Sequence, residues 1–279
     1  MERPTKTSED EPVAHAHLER FMTTQSIPIT PELFEKLYLS PHNIVKGDLR
    51  KKFANPTPVA LGGFLLSLTP ISCILLGWQG AGGLGASDVG AYIYFGGLLM
   101  LLGAVGEFLL GNSFPTVVFS TFGAFWFTFG ATLTPSYGAY AAYATDPQDP
   151  LSGLTSPQFQ ASFAFFLMWM GVLCTVFLIA SIRTNIVFFV IFLIVIPAFE
   201  CLAAAFWHNS KGNLELGLKL QHAGAGILLV ASLLGWYIFL ALVLAGVDFP
   251  YELPLGDLST RIPGASDRAV RARHVESPI

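Results

Sequence analysis

Nine charged side chains serve all of residues 53–245: Asp88, Glu107, Asp146, Asp149, Arg183, Glu200, Lys211, Glu215 and Lys219. Sixteen others precede this stretch and nine follow it. A soluble globular domain carries about a quarter of its residues as charges. A central region this poor in charge cannot clothe itself for water, so the chain reads as an all-α integral membrane protein between polar tails. The tails are residues 1–52 and 247–279, and both have the composition of disordered segments.

A bilayer core of about 30 Å takes roughly 20 apolar residues per helix. Six stretches supply them: Val59–Trp78, Val89–Leu110, Thr116–Leu133, Phe159–Ile182, Ile186–Trp207 and Ala223–Gly246. The third is short and carries Gly123, Gly130 and several threonines. No charge falls between Glu107 and Asp146, however, and Gly111-Asn112-Ser113-Phe114-Pro115 supplies a tight turn between two crossings. Six spans put both termini on one side. Lys46, Arg50, Lys51 and Lys52 before the first span, Arg183 between the fourth and fifth, and Arg261 after the sixth make that side cytoplasmic. Trp78 and Trp207 are placed as interfacial anchors.

Several function classes have no support. The net charge of −4 is spread over both tails and does not suit nucleic acid. Cys73, Cys174 and Cys201 lie in apolar runs without ligand spacing and read as small buried hydrophobes. No phosphate-binding loop, nucleophile elbow or His-Glu-x-x-His is present, so neither an enzyme, a metal nor a cofactor is expected. The acidic N-terminal tail has no signal-peptide core.

Ionisable groups in the spans are the first functional candidates, because charge in hydrocarbon is costly. Glu107 reads either as an interfacial acid held by a backbone or Asn partner, or as a solute- or proton-handling group. Glu200, past Pro197 in the fifth span, is a buried structural group or a pathway residue. His222, placed at the start of the sixth span, is an anchor or a titrating group. The pairs Gly62-Gly63 and Gly96-Gly97, with Gly224-Ala225-Gly226, permit close helix packing. Asn55-Pro56-Thr57-Pro58 puts two prolines at the first turn of a helix. Its amides, with an Asn55 donor, make either a plain cap or an anion-attracting mouth.

Together these segments resemble the fungal branch of the acetate uptake transporter family, also called the succinate–acetate permeases. Asn55-Pro56-Thr57-Pro58-Val59-Ala60-Leu61-Gly62-Gly63-Phe64 matches the family's Asn-Pro-x-Pro-Leu-Gly-Leu-x-Gly-Phe except at Val59 and Ala60. Residues 38–50, Gly106-Glu107-Phe108-Leu109-Leu110-Gly111-Asn112-Ser113-Phe114 and the following Phe119–Trp126 block are similar as well. The resemblance implies a six-helix subunit in a homo-hexamer at the plasma membrane, each subunit passing acetate or related short monocarboxylates as channel or proton-linked carrier. It implies an apolar constriction at Phe64, Phe122 and Leu193, with Asn55, Pro56, Pro58, Glu107 and Asn112 along the pathway. Tyr is usual in the family where this chain has Phe122, so the constriction should be drier. Two alternatives stand beside this reading: an ammonia or ammonium exporter on the same fold, and a non-transporting membrane sensor or organiser.

Overall fold

The computed structural model describes residues 53–146, 148–256 and 258. The two polar tails expected to be disordered therefore fall largely outside the described residues, as do the lysines and arginines of residues 46–52 and Arg261.

Six helices are long and apolar enough to cross a membrane: α1 (Thr57–Leu75), α2 (Gly83–Leu109), α3 (Ser113–Leu133), α4 (Pro157–Ser181), α5 (Ile186–Ser210) and α6 (Leu214–Gly246). The short third span is a continuous helix, begun by the Gly111–Asn112 turn in which Gly111 takes φ +75°. α1 stops three residues before Trp78, because Gly77 at φ +73° turns the chain out of the helix. α2 opens with 3₁₀ turns at Gly83–Asp88 and is π-wound over Tyr92–Leu99.

The largest correction to the span limits concerns α6. It begins at Leu214 rather than near Ala223, with the Asn213 side chain accepting from the Leu216 amide and an exposed Glu215–Lys219 pair at 2.7 Å on its first turns. These polar turns carry too little hydropathy to read as part of a span. His222 consequently lies well inside a helix, exposed, and not at its start.

Neighbours pack in the order α3–α2–α1–α6–α5–α4. α1 and α2 approach closely at glycines: a Cβ at Gly103 would lie 2.5 Å from Ala60, and one at Gly106 2.5 Å from Pro56. The Gly96-Gly97 pair likewise has Trp126 and Phe127 of α3 pressed against it. α3 and α4, at the two ends of this order, meet through aromatic rings, with Phe125 stacked on Phe166 at 5.8 Å and Phe122 beside Phe177 at 6.3 Å. Aromatic side chains thus close the bundle where backbones stay apart, which leaves space inside it.

The bundle has two ends. One carries the start of α1, the α2–α3 turn and the α4–α5 turn; the other carries the loop of residues 134–156. At the first end the chain after α6 turns back over the bundle. The Ile186 amide donates to Gly256 O, Leu258 N–H to Thr184 O, and Tyr237 Oη–H to Pro254 O, while Leu255 is buried. The opening part of the expected C-terminal tail is therefore a packed strap rather than a loose segment. At the other end Trp207, expected as an interfacial anchor, donates its indole N–H to Ala161 O and ties α5 to α4.

Candidate functional site

The interior holds two apolar cavities in line. The larger, about 320 Å³, opens toward the 134–156 loop, between α1, α3, α4, α5 and α6. The smaller, about 30 Å³, has room for roughly one water. Phe64, Phe122 and Val195 line both and form the partition between them. Phe64 meets Phe122 edge to face with centroids 6.1 Å apart. Behind Phe122, Phe177 and Phe192 pack at 5.6 Å and hold it in place. No hydroxyl or charge stands in this partition, so water crossing it gives up its hydrogen bonds.

Phe64 and Phe122 thus meet in space, whereas Leu193 does not join them. It is 48% exposed on the outer face of α5. Two residues along a helix is a turn of about 200°, so Val195 faces inward where Leu193 faces out. In a helix reading Phe-Phe-Val-Ile-Phe-Leu-Ile-Val-Ile every position is apolar, and composition alone does not mark the inner face. The signal was the spacing: Phe188, Ile191, Phe192, Val195, Ala198, Phe199 and Leu202 form the buried stripe.

Asn55, Pro56 and Pro58 stand at the start of α1, away from both cavities. The Asn55 side chain caps the helix there, its Oδ1 accepting from the Thr57 amide at 2.9 Å. Pro58 has no N–H, and the Val59 and Ala60 amides return to Pro56 O at 3.1 and 3.4 Å. The first-turn donors are therefore engaged within the segment, and the anion-mouth reading gives way to the cap.

Beneath this cap lies Glu107, fully buried. Thr57 Oγ1–H donates to its Oε1, and Asn112 Nδ2 donates to its Oε2 at 2.6 Å. The Asn112 amide also donates to Glu107 O at 2.9 Å. Glu107 therefore clasps the Asn55–Pro58 segment to the α2–α3 turn, joining the two motif blocks. It lines neither cavity, and Thr57, the residue between the two prolines, is its partner that sequence reasoning passed over.

Glu200 also lies off the pathway. It is exposed on the outer face of α5, not buried, and its carboxylate rests against Gly171 of α4, where a Cβ would lie 2.5 Å from Oε1. Sequence reasoning also missed the polar residues around the larger cavity, Thr155, Gln160, Asn209 and Gln221. They carry no charge, and uncharged amides and hydroxyls draw no attention in a sequence read for the cost of charge in hydrocarbon. Among the described residues no group of three or more His, Cys, Asp or Glu could hold a metal.

The GPR1/FUN34/yaaH family matches residues 39–258 of this sequence. The chain belongs to that family. It is 45% identical to Protein alcS of Aspergillus fumigatus over 91% of this chain and 93% of the relative. It is 30% identical to the acetate transporter protein patA of Aspergillus clavatus, over 74% of this chain and 78% of that one. Among solved structures, the bacterial acetate channel SatP shares the fold with a TM-score of 0.53 and 21% identity, covering 73% of this chain and 99% of the channel. The six helices and both clasped motif blocks lie within the matched region, so this is an integral multi-pass membrane member of the family.

Proposed function

We propose that this protein passes acetate and related small monocarboxylic acids across a membrane, by a pathway inside each chain. One observation carries the reading: two apolar cavities in line, divided by Phe64, Phe122 and Val195. The names of relatives favour the solute, since patA is an acetate transporter and SatP an acetate channel. An apolar partition controls passage by dewetting. Stripping water from a carboxylate costs far more than stripping it from the neutral acid. The solute therefore crosses as the acid and takes its proton with it. Neither Glu107, Glu200 nor His222 lines a cavity, so this proton link needs no side-chain relay.

In sequence, Lys46, Lys51 and Lys52 precede α1, whose start lies at the end of the bundle that carries Arg183, and we take that end as cytoplasmic and the larger cavity as facing the outside. We place the protein in the plasma membrane as a homo-hexamer with a pathway in each subunit. The test is labelled-acetate uptake into liposomes holding the purified full chain, against empty liposomes, at pH 5 and pH 7. Saturable uptake above the bilayer leak, steeper at pH 5, is expected. Uptake equal to the leak, or uptake of ammonium in its place, would overturn the reading.

A further inference from the structure

The larger cavity has a polar rim whose amides are held in defined orientations. Gln221 donates through Nε2 to Leu75 O at 2.9 Å, across from α6 to α1. A carbonyl oxygen accepts and never donates, so this bond leaves Gln221 Oε1 as the end free for a solute. Gln160 repeats the pattern on α4: Nε2 donates to Leu154 O at 3.4 Å, and its Oε1 is buried without a partner. Asn209 on α5 is the reverse. Its Oδ1 is pressed against Gly217 of α6, where no Cβ would fit, and its amide has no hydrogen bond among the described residues. The nitrogen is the end it has to offer.

The rim therefore presents acceptors at Gln221 and Gln160 and a donor at Asn209. Below it the wall is apolar down to Phe64 and Phe122 except for the buried, unpartnered indole N–H of Trp126, and no Asp, Glu, Lys, Arg or His lines the cavity. A carboxylate is an acceptor only. It would meet carbonyl oxygens without a cation to offset its desolvation. A neutral carboxylic acid has one donor and one acceptor on the same carbon, which is the complement of this rim.

Resting on the function proposed above, we propose that Gln160, Asn209 and Gln221 form a recognition site for the un-ionised carboxylic acid group. Asn209 Nδ2 donates to the acid's carbonyl oxygen, while Gln221 Oε1 accepts its hydroxyl proton. Gln160 Oε1 is a second acceptor once the solute has moved inward. The acid is thus selected at the mouth, about 21 Å along α5 from Val195, before it reaches the partition. The titratable groups on the elements around this mouth are His208 beside Asn209, His222 beside Gln221, Asp88 after the Gly83–Leu84 wall, Asp146 and Asp149 in the 134–156 loop, and the Glu215–Lys219 pair at the start of α6. None lines the cavity, so the pH dependence follows the solute.

The test uses full-length protein in liposomes with labelled acetate, reading half-saturating concentration and maximal rate at several values from pH 5 to pH 7. Expressed as undissociated acid, the half-saturating concentration should hold constant across that range. Gln221→Met keeps the side-chain volume and removes the acceptor, together with the Nε2 bond to Leu75 O. It should raise that concentration about five-fold, the worth of one hydrogen bond, while the maximal rate stays within about two-fold. Asn209→Leu should do the same. Thermal unfolding in detergent checks that each variant folds; if Gln221→Met does not, Asn209→Leu and the wild-type pH series decide. A half-saturating concentration that is constant as acetate anion instead, or unaltered in both folded variants, overturns this inference while leaving acetate passage intact. Absence of any protein-dependent acetate flux overturns the function itself.

Discussion

Phe64 and Phe122, from α1 and α3, meet edge to face at 6.1 Å and are the two rings that line both interior cavities. They come from helices that barely touch as backbones, so the contact depends on their size. Phe64→Ala should join the two cavities and admit bulkier acids. Uptake of labelled butyrate or benzoate relative to acetate should rise about ten-fold or more; an unaltered solute range in a well-folded variant would remove Phe64 from the partition.

Val195 and Leu193 make a sharper comparison on one helix. Val195→Trp should fill the partition and cut acetate flux at least ten-fold, since overpacking leaves no room for solute. Leu193→Trp on the exposed outer face should keep flux within about two-fold. Reversed outcomes in the liposome assay would rotate α5 and contradict the register described here.

Glu107 has a structural assignment. Removing its carboxylate in Glu107→Leu strands the buried Thr57 hydroxyl and Asn112 amide, each costing about 1–3 kcal/mol. The expected result is a clear drop in thermal midpoint in detergent. Glu107→Gln should fall between, since it retains an acceptor. If Glu107→Leu is as stable as the parent but stops transport, the residue belongs to the pathway and not to the clasp.

Glu200 lies against Gly171 on the outer surface, away from both cavities. Glu200→Gln should leave the pH profile of acetate uptake unaltered and its rate within about two-fold. Loss of the rise in uptake at low pH in that variant would make Glu200 a proton carrier.

Much of this was legible before any coordinates. Spans are a matter of charge and length, and the charge-free interval from Glu107 to Asp146 was enough to place two crossings with the Gly111–Asn112 turn between them. Motif blocks also mark Phe64 and Phe122, the two rings that meet between the cavities. What escaped was facing. Along α5 every residue is apolar, so hydropathy does not separate Val195 from Leu193; burial by neighbouring helices does. Intramembrane carboxylates drew attention through their cost. Yet the two differ in setting: Glu107 is buried with Thr57 and Asn112 donating to it, whereas Glu200 stands on the outer face of α5 against Gly171. The rim amides escaped for the opposite reason. Gln160, Asn209 and Gln221 are uncharged and far apart in the sequence, and only their place around one cavity gives them a shared task. The polar first turns of α6 carry no span signal, so the sequence puts His222 at the start of the sixth span although it lies about two turns into the helix.

The central claim is that small acids pass through the chain's own interior by way of Phe64, Phe122 and Val195. Its most direct test is labelled-acetate uptake at pH 5 into liposomes holding equal amounts of folded wild-type protein or the Val195→Trp variant, each set against empty liposomes. Saturable wild-type uptake above the leak, falling to the leak in the variant, is the expected result. Equal uptake by both proteins would place the pathway elsewhere, and wild-type uptake no greater than the leak would contradict acetate passage altogether.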